Sequence, residues 1–507
     1  MIVQHLVPLL LATAFATVAA QDAGQARASG SPFEPAPCPF TVEPNVIDQV
    51  QCGHVTVPEN RAVPGGRRLK LAVAKLKSLS ATPRPDPMVV VGGGPGGRTL
   101  DRIPAFLANG TVDAMRADRD VIVYDQRGVG YSEPAFCPEA TAALGARRFE
   151  SQAAYRARQR EQLARCGEYM RSAGYDLSQY NSVTSAHDLQ DLRRALGYEQ
   201  WNLHAASYGT RLALVAMREA PQGIRSVVLD SPSPPNRAAW FNKPADYVDI
   251  LKRLSAACAA QSTCNDAFPD LERTFWKTVE DFDRAPRTRT VTLPNGTSAT
   301  LMADGSMLAG AVAGLLERGM FRAVPMAVYA AASGNEAALT TLTQALVSRL
   351  DANATGPRFG WGLHYTVNCF EEAPLNTPEL RQRMRSTYPA MLSDGELFPD
   401  PSLCEGLHAF RATSEQTLLP EREIPTLIFV GEFDLQTHRS NGEIVKQSLK
   451  NSQIVEVRGA GHVPSLRHEC TRTMIRDFYT TLRPVDTSCL RSIPPLRFIT
   501  DLKMIAK

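Results

Sequence analysis

The chain has 507 residues, 44% hydrophobic and 21% charged, the composition of a folded globular protein rather than a disordered or fibrous one. Lys and Arg number 55 against 52 Asp and Glu, a formal net charge of +3, which gives no electrostatic footprint for nucleic acid or an anionic membrane surface.

Taken in chain order, residues 6–20 are an apolar run ending in Val18-Ala19-Ala20, with polar Gln21-Asp22 after it. Val18 and Ala20 fit the third-last and last places before a signal-peptidase cut, so residues 1–20 are expected to be a signal peptide and the protein secreted or periplasmic. After a Pro/Gly/Ser-containing stretch, residues 69–77 read as a strand, and Met88-Val89-Val90-Val91 as a second that runs into Gly92–Gly97. Residues 121–124 form a third, followed by Asp125-Gln126-Arg127-Gly128. Residues 185–196 have helical periodicity, with Ser185 as the cap, Asp188 at the capping-box position and Gly197 as the stop. Then come strand 201–204, helix 210–219 and strands 227–229, 426–430 and 454–457. Short β-branched runs alternating with helices indicate an α/β fold with a mostly parallel sheet covered on both faces.

Between residues 232 and 420 this rhythm stops, and the pattern becomes helical and Ala-rich. The expected organisation is a core of residues 21–231 and 421–507 with a helical cap, 232–420, inserted between its halves. The most apolar stretch there, residues 307–331, carries Glu317, Arg318, Arg322 and Pro325, so no membrane span is expected. Ten cysteines fall into neighbours: Cys38/Cys52, Cys137/Cys166, Cys258/Cys264, Cys369/Cys404 and Cys470/Cys489. Nearest-neighbour pairing is the simplest choice in an oxidising compartment. Without CxxC spacing or clustered histidines, no zinc, other metal or cofactor is called for.

Three polar residues follow three strands. Ala205-Ala206-Ser207-Tyr208-Gly209 lies between a strand and a helix, where a sharp turn can present a serine hydroxyl at the sheet edge. Serine needs a base, and the base an orienting carboxylate. Asp434 follows strand 426–430, and His462 follows strand 454–457 through Arg458-Gly459-Ala460-Gly461, giving the order Ser, acid, His. Glu432 is the alternative acid. His204 is assigned to the core, His438 to the start of the next helix, and Asp125 with Arg127 to a structural ion pair. The N–H of Tyr208 and the glycine run 92–97 are candidate oxyanion donors. No Lys-Ser/Thr follows that run and its spacing is not G-x-G-x-x-G, so it is not a phosphate loop.

Gly93-Gly94-Pro95-Gly96-Gly97, Asp125-Gln126-Arg127-Gly128-Val129-Gly130-Tyr131-Ser132 and Ser207-Tyr208-Gly209-Thr210 resemble the prolyl and tripeptidyl aminopeptidase family of α/β-hydrolases. So do Asp188 to Gly197 ahead of the elbow, and Asp434, Gly461-His462 and Cys470 to Cys489 near the carboxy terminus. The secreted, disulfide-containing tripeptidyl-aminopeptidase-like branch is the nearest in pattern. The resemblance implies an α/β-hydrolase fold with Ser207 as nucleophile, Asp434 as orienting acid, His462 as base, and Gly94 and Tyr208 as backbone oxyanion donors. Gly92 stands where proline-specific members carry His, which argues against strict proline iminopeptidase activity, and Ala205 replaces the first elbow glycine.

The resulting expectation is a serine hydrolase that releases short peptides or residues from free N-termini. A carboxylesterase with the same triad is the alternative, and a non-catalytic binding protein on this fold is the third reading. Glu371, then Glu372, is expected to bind the substrate ammonium, fixed in place by Cys369.

Overall fold

The computed structural model describes residues 32–145, 152–292, 298–335, 359–388, 401–407 and 411–501. The expected signal peptide lies outside them. The strands among them are β1 (Glu34–Pro35), β2 (Val50–Pro58), β3 (Arg68–Leu76), β4 (Arg84–Val91), β5 (Arg119–Tyr124), β6 (Trp201–Ala206), β7 (Ile224–Asp230), β8 (Arg287–Thr292), β9 (Ser298–Ala303), β10 (Thr426–Gly431) and β11 (Ser452–Val457). Nine of them form one sheet in the order β1-β2-β3-β5-β4-β6-β7-β10-β11. β1, β2, β3 and β5 pair antiparallel, and every pair from β5 onward is parallel.

Successive side chains of a strand face opposite sides, and here both sides are covered. Val227, Leu229, Ile428 and Val430 join one core with Leu189, Leu212 and Val215 of the helices Ser182–Ala195 and Tyr208–Glu219. Val228, Leu427 and Phe429 face the other way, against Met474, Ile475 and Phe478 of the helix Glu469–Thr481. This two-sided burial is why the central strands read as continuous apolar runs. The sheet continues across the long insertion, because β7 pairs directly with β10. Register then brings Ala206, Asp230 and Phe429 abreast at the carboxyl edge of the sheet.

Two local expectations need correction. The helix predicted to begin at Ser185 begins at Ser182, and its cap is Asn181, whose Oδ1 accepts the Thr184 N–H at 3.0 Å. Asp188 is therefore no capping residue. Its carboxylate is buried and takes both Nε and a terminal nitrogen of Arg127 at 2.7 Å, with Arg61 also at 2.7 Å. Asp125 is thus not the partner of Arg127. It accepts the backbone N–H groups of Thr99, Leu100 and Tyr131 and fixes the loop after β4 instead.

Between β7 and β10 the helices Ala239–Ala259, Leu271–Arg284 and Gly305–Glu317 bury Tyr247, Phe275, Val279 and Val312 in a core of their own. The helix Trp361–Glu371 behaves differently. Its Leu363, Val367 and Cys369 pack into the main core with Phe136, Cys137 and Leu163. The region is also not wholly helical, since β8 and β9 form an antiparallel pair. All five nearest-neighbour cysteine pairs are disulfides. Among the described residues no helix is long and apolar enough to cross a membrane.

Candidate active site

Ser207 sits between the end of β6 and the first residue of the next helix, with φ 57° and ψ −128°. Positive φ is costly for a residue with a Cβ, so the surroundings must impose it. They do so through Ser207 N–H donating to Asp230 O at 2.9 Å and Thr210 N–H donating to Ser207 O at 2.9 Å. The helix must also pass close to β4. A Cβ on Gly209 would lie 2.1 Å from the Val91 carbonyl oxygen, which explains the glycine two places after the serine. Tyr208, as the first helical residue, has an N–H with no intrahelical acceptor.

The other two candidates meet across β10 and β11. His462 Nδ1 lies 2.8 Å from Asp434 Oδ2 and 3.0 Å from Oδ1. The buried carboxylate also accepts Ser231 Oγ at 2.7 Å, Thr437 Oγ1 at 2.9 Å, and the N–H groups of Gln436 and Thr437 at 2.9 and 3.0 Å. Burial alone would raise its pKa, but the charge and hydrogen bond of His462, with the Thr437 N–H and Ser231 bonds, outweigh burial and hold it below the ordinary carboxylate value. A carboxylate only accepts, so Nδ1 of His462 carries a hydrogen, and in the neutral ring Nε2 keeps the lone pair a base requires. Glu432 is occupied elsewhere, accepting Gly459 N–H at 2.8 Å. His438 bonds Asp249 at 3.0 Å and Ser440 at 2.9 Å, and His204 is buried in β6, so neither competes for the role.

Ser207, His462, Tyr208, Gly93 and Gly94 line one cavity of about 760 Å3. Gly94 has φ 128°, and a Cβ there would lie 2.7 Å from Gly97 N, so the loop has its shape only with glycine at this position. The acidic pair is placed differently from expectation. Glu372 lines the cavity, whereas Glu371 is not among the lining residues. Glu371 accepts Ser182 N–H at 2.6 Å and Ser182 Oγ at 2.9 Å, and Ser182 Oγ lies 2.8 Å from the Tyr208 hydroxyl. Glu372 takes Arg211 at 2.9 Å and Trp240 N–H at 3.2 Å. The two acids thus face different neighbours, Glu371 as the last residue of its helix and Glu372 as the residue that caps it.

Sequence reasoning missed Ser231, Thr437 and Arg211. Ser231 follows a strand at the same sheet edge as the others, and that position was its available signal. Arg211, one turn into the helix after Ser207, carried no signal for its pairing with an acid 161 residues away.

Two family models match the sequence, one described as alpha/beta hydrolase fold over residues 86–301 and one as TAP-like protein over residues 396–489. The chain has an α/β-hydrolase fold with a TAP-like part near its carboxy terminus. Tripeptidyl aminopeptidase of Streptomyces lividans is 32% identical to this hydrolase over 210 residues, 40% of this chain and 39% of that protein. Serine protease Hip1 of Mycobacterium tuberculosis is 26% identical over 249 residues, 46% of each chain. The chain thus spans less than half the length of these curated relatives. Among solved structures, proline iminopeptidase of Mycobacterium smegmatis aligns with 85% of this chain and 98% of its own, at 14% identity and a TM-score of 0.38.

Proposed function

We propose that this hydrolase is a secreted or periplasmic serine aminopeptidase that releases short peptides or single residues from free N-termini, with Ser207, His462 and Asp434 as its triad and residues 232–420 as a cap over the site. The observation that carries the reading is the strained Ser207 turn sharing a cavity with His462, whose Nδ1 is fixed by Asp434. Five disulfides fit an oxidising compartment.

In this mechanism Ser207 Oγ attacks the scissile carbonyl carbon while His462 Nε2 takes its proton. The carbonyl oxygen becomes an oxyanion held by the N–H groups of Tyr208 and Gly94, and Tyr208 adds the favourable end of a helix dipole. Collapse expels the amine, which leaves with the proton from His462. Water, deprotonated by the same imidazole, then cleaves the acyl-enzyme and restores Ser207. No step draws on a metal or cofactor.

The acidic pair supports the choice of a free amino terminus. Glu371 and Glu372 share Arg211, at 3.6 and 2.9 Å. Glu372 reaches the cavity itself, beside Arg211, Arg102 and Lys243, while burial raises the pKa of Glu371 behind it. A substrate ammonium gives the Glu372 carboxylate a second cationic partner in a water-poor setting where an unpaired ion is costly.

The test is a panel of chromogenic aminoacyl, dipeptidyl and tripeptidyl amides beside short acyl esters. Ser207→Ala is expected to abolish turnover and labelling by a fluorophosphonate while leaving the fold intact. Glu372→Gln is expected to lower kcat/KM on free-amine peptides by about 2–4 kcal/mol, the range for truncating a buried charge pair. It should barely change ester hydrolysis. Turnover of esters alone by the parent enzyme would establish the carboxylesterase reading, and full activity in Ser207→Ala would remove the serine mechanism.

A further inference from the structure

The loop 92–97 has two flanks. One lies on the serine turn, and the other is gripped by the insertion. Gly360 N–H donates to Gly96 O at 2.7 Å. Gly97 and Phe359 form an antiparallel bridge. His364 Nδ1 lies 3.1 Å from Pro95 O. A carbonyl only accepts, so Nδ1 of His364 carries the hydrogen and only Nε2 can accept from Asn368 Nδ2, one helical turn on, which lies 3.2 Å from Nε2 and 3.4 Å from Nδ1. The ring is held by aromatic neighbours: Phe359, Trp361 and Tyr365 have centroids 5.3, 5.4 and 5.2 Å from it. Burial pulls the pKa of this imidazole down to about 4, so it is neutral at ordinary pH and a fixed donor rather than a titrating base.

These contacts bear on the oxyanion donor through the geometry of one peptide plane. Gly97 N–H donates to Gly93 O at 3.2 Å. The N–H and C=O of a trans peptide point in opposite directions, so fixing Gly93 O also fixes where Gly94 N–H points. Gly97 is the residue bridged to Phe359, and Pro95 and Gly96 are the next carbonyls held from the insertion. Gln126 Nε2 donates to Gly92 O at 2.9 Å and Asp125 holds the N–H groups of Thr99 and Leu100, so the ends of the loop are tied to the core and its middle, Pro95 to Gly97, to the insertion.

We infer that His364, together with the backbone of Phe359 and Gly360, is a positioning element for the Gly94 oxyanion donor, so that the insertion sets the catalytic rate as well as shaping the cavity. This rests on the triad reading above and adds to it a role for a residue that does not touch the reacting atoms. His364 also lines the cavity with Phe359 and Trp361. A substrate pressed against that wall therefore contacts the element that aims the donor.

The experiment uses the full chain and a tripeptidyl chromogenic amide, with Ser207→Ala, His364→Ala and His364→Asn measured side by side. A positioning group displaced by about 1 Å can cost on the order of 100-fold in rate. His364→Ala is expected to lower kcat by about 10- to 100-fold with KM within about two-fold. Binding of a peptide boronate, whose tetrahedral adduct places an oxygen in the same hole, should weaken in parallel. His364→Asn, whose amide N–H can reach the Nδ1 position, should recover most of both. Unchanged kcat in His364→Ala, or a rise in KM alone, would overturn the inference and make His364 part of the cavity wall only. Equal losses in both His364 variants, matched by equal drops in melting temperature, would also overturn it. If Ser207→Ala retained turnover, the triad reading itself would fall. A dead Ser207→Ala beside an unimpaired His364→Ala removes only the role of His364.

Discussion

Asp230 ends β7 and Ser231 follows it, between the two arms of the site, and they touch both. The Asp230 carbonyl accepts Ser207 N–H, and Ser231 Oγ donates to Asp434 while accepting Val463 N–H at 2.9 Å. Ser231→Ala removes one bond to a buried carboxylate and orphans one N–H beside His462. Bonds to charged groups are worth about 1.5–3 kcal/mol, so kcat/KM is expected to fall about ten- to a hundred-fold with the protein still folded. Steady-state kinetics beside a melting curve check this. The Asp230 side chain makes a different prediction. Burial, opposed by its bonds from Ser465, raises its carboxyl pKa to about 7. The native state then holds this proton more tightly than the unfolded chain, so stability falls as pH rises from about 4 towards 7. Asp230→Asn mimics the protonated acid and should flatten that part of the profile. Denaturant melts of both proteins at pH 4.5, 6 and 7.5 read the difference, and parallel profiles would show that Asp230 is charged throughout. The triad candidates could be read from sequence because each follows an apolar strand in a fixed chain order. Ser231 shares that position after a strand, but its role, like that of His364, lies in a partner on another element.

At the scale of elements, strands announced themselves wherever both faces are buried. β2 was missed because Gly53 and Pro58 interrupt its pattern, although Val55 and Val57 are buried. β8 and β9 were missed inside an Ala-rich context, although alternating Arg and Thr precede Asn295-Gly296, a favoured hairpin pair. The helix Ser182–Ala195 shows the opposite case, where a correct helix was given the wrong anchor. Its Asp188 ties it to Arg127 and Arg61, and Arg127 in turn donates to the carbonyls of Pro58, Glu59 and Gln179. Burial opposes the charge on Asp188, but Arg127 and Arg61 prevail and hold its pKa low. Sequence displayed both partners and not their pairing, because they lie 61 residues apart. Asp188→Asn leaves Arg127 buried against a neutral group. It is expected to destabilise the fold by about 3–5 kcal/mol, the cost of breaking a buried pair from one side. Chemical denaturation measures it, and a loss below about 1 kcal/mol would show that solvent reaches Arg127.

For the whole molecule, the insertion between β7 and β10 is divided in its loyalties. Its earlier helices bury their own core, which Phe433, the neighbour of Asp434, joins through a contact with Phe321 at 5.3 Å between ring centroids. Its later helix, Trp361–Glu371, is built into the core of the sheet and carries His364 and Glu371, with Glu372 as its C-cap. Two disulfides separate these parts experimentally. Cys258–Cys264 closes a separation of 6 residues within the first, and Cys369–Cys404 closes 35 and fixes the helix end that bears Glu371 and Glu372. Loop-closure entropy assigns the short link about 2 kcal/mol and the long one about 4 kcal/mol. Replacing each pair by serine is therefore expected to lower stability in that order. Function should divide more sharply than stability. Loss of Cys258–Cys264 leaves the acidic pair and the loop clamp untouched, so the ratio of peptide to ester turnover should hold. Loss of Cys369–Cys404 frees the end of the helix, and peptide turnover should fall relative to ester turnover at a temperature where both variants remain folded. Equal ratios in the two variants would mean that packing of Leu363 and Val367 alone fixes the helix and that the disulfide does not position the acidic pair.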